Sequence, residues 1–323
     1  MTHYENVVVT GGAGFLGSHL VDKLIFRGCN VTVIDNLSSG KIDNLRVSLT
    51  SGRLRVVIQD LKNVNDEWMA EFKNKDVVFH FAANPEVRVS VTDPQIHFEE
   101  NLRVTFNVLE AMRKCDVPLI VFASTSTVYG DAKKIPTPED YHPLEPISVY
   151  GAVKLACEVL IQTYSKLYGI RGLILRYANI IGARSTHGVI VDFIRKLRHN
   201  PKELEILGDG TQRKSYLHVS DAVDATLHAL DVFVEGSLPC DVYNIGSEDW
   251  ISVREIADII VEEIGLENVK YVYKPMTADG RGWPGDVKFM LLDISKIKGT
   301  GWKPRLNSRD AVRKTVRELL GKE

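Results

Sequence analysis

Apolar residues in the first half of the chain fall in short, nearly unbroken runs: "NVVVT", "NVTVID", "LRVVIQD", "DVVFHFAA", "PLIVFAS" and "RGLILRYAN". Runs rich in Val, Ile and Leu predict strands covered on both faces, and therefore a parallel sheet. The segments between them are long enough for crossover helices. Between the first two runs, Leu16, Leu20, Leu24 and Ile25 recur at helical spacing and Gly28 supplies a stop, which predicts a βαβ unit. After Asn179 the pattern loosens into mixed short helices and strands, and Gly and Pro cluster in "TADGRGWPGDV". The closing "GWKPRLNSRDAVRKTVRELL" predicts a turn and an amphipathic helix lying on the surface. The expectation is an α/β chain: a doubly wound parallel sheet with a smaller, irregular α/β lobe.

Composition narrows the partners. The 323 residues are 44% hydrophobic and 25% charged with a formal net charge of -2, so neither nucleic acid nor an anionic membrane is an expected partner. The start, "MTHYENVVVT", enters a strand without a basic leader, and no apolar stretch is long enough to span a bilayer, so a cytoplasmic location is expected. Cys29, Cys115, Cys157 and Cys240 lack CxxC spacing and read as buried free thiols. The histidines show no HxH or HExxH pattern, so no metal is expected. His80, inside an apolar strand, reads as a core histidine with its hydrogen bonds met.

"TGGAGFLGSH" joins the first strand to the first helix and places Gly11, Gly12, Gly14 and Gly17 where a dinucleotide needs a tight turn, close backbone approach and a helix N-terminus facing its pyrophosphate. The next strand ends in Asp35, whose carboxylate would accept hydrogen bonds from ribose hydroxyls and repel a 2′-phosphate. A Rossmann-type domain with NAD rather than NADP follows. Residues 1–178, with a returning segment near 215–247, are expected to form it; about 179–214 and 248–323 would form the second, smaller lobe. Asp60, at the end of the third strand, reads equally as a rim contact to adenine or a turn residue.

In "SVYGAVKLACE", Lys154 follows Tyr150 by one helical turn, so both side chains reach the same side. An ammonium beside a phenol favours the phenolate. To act as a base at neutral pH, a tyrosine must come down from about 10 to about 7, roughly 4 kcal/mol of differential stabilisation. Lys154 and a positive nicotinamide ring could supply it.

These features together resemble the extended short-chain dehydrogenase/reductase family, specifically its NAD-dependent nucleotide-sugar epimerases and dehydratases, and most of all the UDP-hexose 4-epimerases. The resemblance spans essentially the whole chain and rests on "TGGAGFLGSH", "VIDNLSSG", "HFAA", "STSTVYG", "YGAVK", "RYANIIG" and "RGWPGD…LLDISK…GWKP". It implies that Tyr150 is the base, that Lys154 holds the nicotinamide ribose and lowers the tyrosine pKa, and that Thr125 hydrogen-bonds the reacting sugar hydroxyl. It further implies cofactor contacts from Gly11, Gly14, Phe15, Leu16 and Gly17, from Asp35, Asn36, Ser39 and Gly40, and from Asp60 and Leu61. Phe81, Ala82, Ala83, Asn101 and Tyr177 complete that set. Homodimerisation through two long helices, near residues 95 to 114 and 149 to 168, is the family's usual assembly.

Family members remove the sugar 4-OH proton while hydride passes from C4 to NAD, leaving a 4-keto sugar. Dehydratases of the family then use Asp and Glu in a "TDEVYG"-like loop, where this chain has Ser126 and Thr127, hydroxyls too weakly acidic to donate the protons that water elimination needs. The expected reaction is 4-epimerisation, by rotation of the keto sugar and hydride return. A 4,6-dehydratase, a 4-keto reductase and a non-catalytic NAD-binding protein on the same fold are the alternatives. For substrate, the resemblance implies Asn179 at the diphosphate, Lys214 with Arg213 beside it where the family carries an arginine, Arg281 before a lengthened "GWPGD" spacer, and Met290 beside the hexose C2. Ser126 is a further candidate, and Arg88 reads either as a phosphate contact or as a surface arginine.

Overall fold

The computed structural model describes residues 4–323; Met1 to His3 lie outside the described residues. The six apolar runs form β1 (Asn6–Thr10), β2 (Asn30–Asp35), β3 (Leu54–Ile58), β4 (Val77–His80), β5 (Leu119–Thr125) and β6 (Arg171–Tyr177), and Cys240–Ile245 adds β7. They make one 7-stranded sheet in the order β7-β6-β5-β4-β1-β2-β3. Strand β1 pairs in parallel with both β2 and β4, and Thr10 stands opposite both Ile34 and His80. This register aligns the carboxyl ends of three strands at the point where strand order reverses, the usual ligand end of such sheets. Gln59, Asp60 and Phe81 to Ala83 leave their ladders there, so β3 and β4 are shorter than their apolar runs.

Helices α1 (Phe15–Phe26), α2 (Val104–Lys114) and α3 (Val149–Tyr168) cover this sheet, and a π-helical turn at Phe98–Arg103 leads into α2. The buried stripe of α1 is Gly17, Leu20, Val21 and Leu24, while Leu16 and Ile25 are half-buried. The stripe is rotated from the expected one because Gly17 seats directly on the Gly11 carbonyl. Gly28 at φ 88 ends the helix as expected. Val8, Ile34, Val78, Val108, Ile120, Phe122, Ile161 and Ile174 fill the core between helices and sheet, each contributing about 1.5–3 kcal/mol by burial.

Two compact units result. The first comprises Met1–Val128, Val149–Arg176 and Val223–Tyr243; the second comprises Tyr129–Ser148, Tyr177–Ala222 and Asn244–Glu323. Segment Tyr129–Ser148 thus belongs to the second unit, although it falls inside the expected 1–178 domain. Backbone bonds from Thr137 N to Leu291 O and from Asp293 N to Thr137 O hold it there, as does the Tyr129 hydroxyl donating to Asn244. The returning segment is narrower than 215–247. The second unit packs α4 (Val189–His199), α5 (Val253–Ile264) and α6 (Ser308–Leu320) around Ile190, Phe193, Ile256, Ile260, Val312 and Val316. A Ser252–Glu255 capping box starts α5, and Gly265 in the left-handed region ends it. The last helix, expected at the surface, buries Ala311, Val312, Thr315 and Val316.

Candidate active site

In the first unit the glycine loop lies flat against the end of β4. Gly11 has φ 69, and a Cβ there would sit 2.7 Å from Ala82 N; a Cβ on Gly17 would sit 2.2 Å from Gly11 O. Only hydrogen fits at either position. Gly14 caps α1 with no side-chain hydrogen bond. The first-turn N–H groups of Phe15, Leu16 and Gly17 therefore have no helical acceptor and present the positive end of the helix dipole.

Asp35 is buried at 8% exposure. Its Oδ2 accepts from Ala13 N–H at 2.9 Å and its Oδ1 from Leu37 N–H at 2.8 Å, leaving lone pairs on both oxygens. Burial pushes its pKa up, and the Leu37 and Ala13 amides oppose that rise. Gly40 is pressed against it, since a Cβ there would lie 2.9 Å from both carboxylate oxygens. A cradle that excludes side chains, a bare helix N-terminus and an acceptor at the end of β2 fit a dinucleotide with a free ribose diol, which is NAD.

Other cofactor candidates have structural duties. Asn36 caps Ser38 N–H at 3.0 Å and Asp60 caps Lys62 N–H at 2.9 Å, so both close turns. Ser39 is exposed and Leu61 buried. Asn101, on the π-helical turn, is locked to the Asn84 backbone, accepting from its N–H at 2.7 Å and donating to its carbonyl at 3.2 Å.

Tyr150, Lys154 and Thr125 gather at the end of β5. The Tyr150 hydroxyl is hydrogen-bonded to Thr125, yet burial pushes its pKa up to about 12. Its backbone N–H donates to Ser90 Oγ at 3.1 Å, and the His97 ring packs edge-on at 5.5 Å. Lys154 is 3% exposed; its Nζ donates to Ala123 O at 2.6 Å and lies 4.5 Å from the Phe122 ring centroid. Burial pulls its pKa down to about 8. The helix spacing does bring phenol and ammonium to one side, but here the tyrosine pKa is raised rather than lowered, because burial outweighs the Thr125 bond. Thr125 Oγ1 also meets Thr127 Oγ1 at 3.1 Å, and Ser126 is buried beside it. Arg88, on a separate short segment of this unit, pairs with Glu86 at 3.0 Å.

In the second unit, Asn179, Lys214 and Met290 are brought together by short ladders. Asn179 is the partner of Tyr216 and donates from Nδ2 to Ser215 O at 3.1 Å, while Met290 stands opposite Lys214. Neighbouring strand residues face opposite sides, and the two basic residues divide accordingly: Lys214 bonds Asp286 at 2.6 Å, whereas Arg213 is exposed. Lys214 also lies 5.6 Å from the Trp283 ring centroid. Arg281 donates to the Asp286 carbonyl at 2.7 Å and makes a bidentate pair with Asp131 at 3.0 and 2.8 Å. The longer spacer thus still carries Arg281 to the Lys214 cluster. Asp131, Asp286 and Trp283 escaped the sequence reading, and the only signal for Asp286 was its place in "GWPGD".

Residues 7–246 match the NAD dependent epimerase/dehydratase family. The chain belongs to this family. A crystal structure of a UDP-galactose 4-epimerase is 50% identical, with a TM-score of 0.87, covering 98% of this chain and 99% of that one. The UDP-glucose 4-epimerase of Mycolicibacterium smegmatis is 33% identical over 316 residues, 96% of each chain. The UDP-glucose 4-epimerase of Thermus thermophilus, solved in complex with NAD, is 33% identical with a TM-score of 0.83, covering 98% of this chain and 100% of that one. NAD is the cofactor of this family, and the glycine cradle with Asp35 has the shape and acceptors that NAD requires. No helix among the described residues is long and apolar enough to cross a membrane.

Proposed function

We propose that the protein is an NAD-dependent UDP-sugar 4-epimerase. The observation that carries this reading is the Thr125–Tyr150–Lys154 group followed by hydroxyls, Ser126 and Thr127, where elimination chemistry would require acids. NAD, when bound, supplies the hydride acceptor, the returning hydride and a cationic ring. Tyr150 takes the proton from the sugar 4-OH and gives it back after the keto sugar has turned, while Thr125 orients the hydroxyl and Lys154 anchors ribose and supplies positive charge. Positioned proton transfer of this kind is worth about 10²–10⁴ in rate. At about 12, Tyr150 is almost wholly the phenol at neutral pH, so the base must be drawn out by charge that arrives with the ligands.

On the second unit, Lys214 and Arg281 are the cations we assign to the diphosphate, with Asn179 as their neutral partner. Both are held in place by carboxylates before any ligand arrives, which fixes their orientation at the cost of a partner exchange. Met290, opposite Lys214, is a flexible wall beside the hexose that would admit an N-acetyl group as well as a hydroxyl. UDP-glucose, UDP-galactose and their N-acetylated counterparts are the substrates we propose.

The assembly we propose is a homodimer. Leu102 on the π-helical turn, Phe106 on α2, and Ala152, Leu155, Ala156 and Val159 on α3 form a nearly unbroken apolar face, with Phe106 47% and Val159 53% exposed. A second copy related by a two-fold axis would cover it with the same face. Four free cysteines suit the reducing cytoplasm.

Proton NMR of the protein with a panel of UDP-, dTDP- and GDP-sugars in D2O tests the reading. Inversion at C4 without deuterium entering the ring is the expected result. Deuterium at C5 or loss of the C6 hydroxyl would replace epimerisation with dehydration.

A further inference from the structure

Glu158 lies one turn beyond Lys154, which lies one turn beyond Tyr150, so all three share a stripe of α3. It is 0% exposed, and Arg176 is 4% exposed. The guanidinium closes on the carboxylate through Nε, at 3.1 and 3.2 Å from its two oxygens, and through Nη2 at 2.7 Å. Ser124, the neighbour of Thr125 at the end of β5, donates its hydroxyl to the same carboxylate. Arg176 stands near the end of β6. Three elements therefore meet at one buried carboxylate.

An ion pair this dry is a poor means of holding a fold together. Desolvating two charges costs several kcal/mol per ion, and an apolar cluster of equal volume is commonly as stable or more so. What an apolar cluster would not provide is negative charge close to Lys154. The groups facing that ammonium are Cys157 and Glu158 on α3, His80 on β4, and the Ala123 carbonyl and Phe122 ring on β5, with Ser124 and Arg176 behind Glu158. Burial keeps the Cys157 thiol protonated and His80 neutral. Glu158 is the one carboxylate among these groups.

We infer that Glu158 is a positioning residue for proton transfer: clasped by Arg176 and Ser124, it fixes Thr125 relative to Tyr150 and places negative charge one turn from the Lys154 ammonium. The inference rests on the epimerase reading for its catalytic consequence. Its electrostatic part concerns this chain alone. Lys154 titrates near 8, with burial lowering its pKa and Cys157 and then Glu158 opposing the drop. Removing the Glu158 charge lets the pKa fall further, so the ammonium is lost at a lower pH and the alkaline limb of turnover follows it down.

The test compares wild type with Glu158→Gln, Glu158→Asp and Ser124→Ala, following Lys154 by 13C NMR of its Cε through a pH titration and, separately, kcat and KM against pH. Glu158→Gln should lower the Lys154 titration and the alkaline limb by about half a unit or more, a threefold change in proton affinity, and cut kcat at pH 8 about fivefold with KM within about twofold. Glu158→Asp should restore the titration, and Ser124→Ala should leave it in place while lowering kcat about threefold. A Glu158→Gln protein that melts earlier with an unmoved titration and unmoved kcat would reduce the cluster to a structural role and overturn the inference. Should Glu158→Gln not fold, an unchanged kcat in both Ser124→Ala and Glu158→Asp overturns it, and a loss in both sustains it. The NMR titration needs no turnover, so wild type failing to epimerise sugars would sink the functional reading without touching the Lys154 result.

Discussion

Lys154→Met should make the protein more stable and nearly inactive. Lys154 is buried, and its pKa near 8 compares with 10.5 for the exposed side chain. Keeping it charged in the folded protein below pH 8 therefore costs about 3 kcal/mol. Methionine fills similar space without charge, but forfeits the bond to Ala123 O and the Phe122 contact, together about 1–2 kcal/mol. The net expectation is a gain of about 1–2 kcal/mol at pH 7, or a rise of about 2–6 °C in Tm. The pH dependence separates this from ordinary repacking. Because the folded pKa lies below the unfolded one, the unfolded chain binds the extra proton between pH 8 and 10.5. Wild-type stability therefore rises with pH through that window, the penalty being complete below 8 and gone above 10.5. The variant lacks this contribution, so its advantage in urea unfolding should shrink from pH 7 to pH 10.5. Epimerisation should fall about a thousandfold at pH 7, with the gap narrowing above pH 8 as wild type loses its own ammonium. A variant less stable than wild type at pH 7, or one whose advantage is the same at both pH values, would refute the claim that Lys154 is held at a cost for the sake of chemistry.

Two further outcomes test the cofactor cradle and the assembly. Gly17→Ala, which in an ordinary helix would stabilise by about 1 kcal/mol, places a Cβ 2.2 Å from Gly11 O; the loop must shift, and NAD affinity by calorimetry should weaken at least about 100-fold, whereas a change under fivefold would mean that the loop does not hold the pyrophosphate. Phe106→Asp, at a position half-exposed in the protomer, should leave the fold intact but weaken a two-fold dimer by about 1000-fold, since each copy loses roughly 2 kcal/mol of burial and gains a charge to desolvate; sedimentation showing an unchanged dimer would place the interface elsewhere.

The parts of this molecule that could be read in the sequence are those whose physics is local. Strands covered on both faces leave unbroken apolar runs, and β1 to β6 lie where those runs are. A helix N-terminus that approaches a strand needs glycines at fixed offsets, so the cradle was visible in "TGGAGFLGSH". Four-residue spacing put Tyr150 and Lys154 on one side of α3. What local pattern could not contain was the competition each side chain meets in three dimensions. Nothing in "YGAVK" says that the Ala123 carbonyl, on β5, takes the Lys154 ammonium, or that burial leaves Tyr150 raised. Arg281 and Asp131 are 150 residues apart, and Lys214 and Asp286 are 72 apart; each cation was legible, but its carboxylate was not. The same holds for the segment at Tyr129–Ser148, which follows β5 in sequence yet bonds to Leu291 and Asn244. Glu158 is the sharpest case. It stands at the next helical turn in "YGAVKLACE", fully in view, and on spacing alone it is merely a solvated glutamate supporting a lysine. Only when β5 and β6 bring Ser124 and Arg176 to it does it become a buried charge one turn from Lys154, and that placement is what we infer makes it act on chemistry as well as on packing.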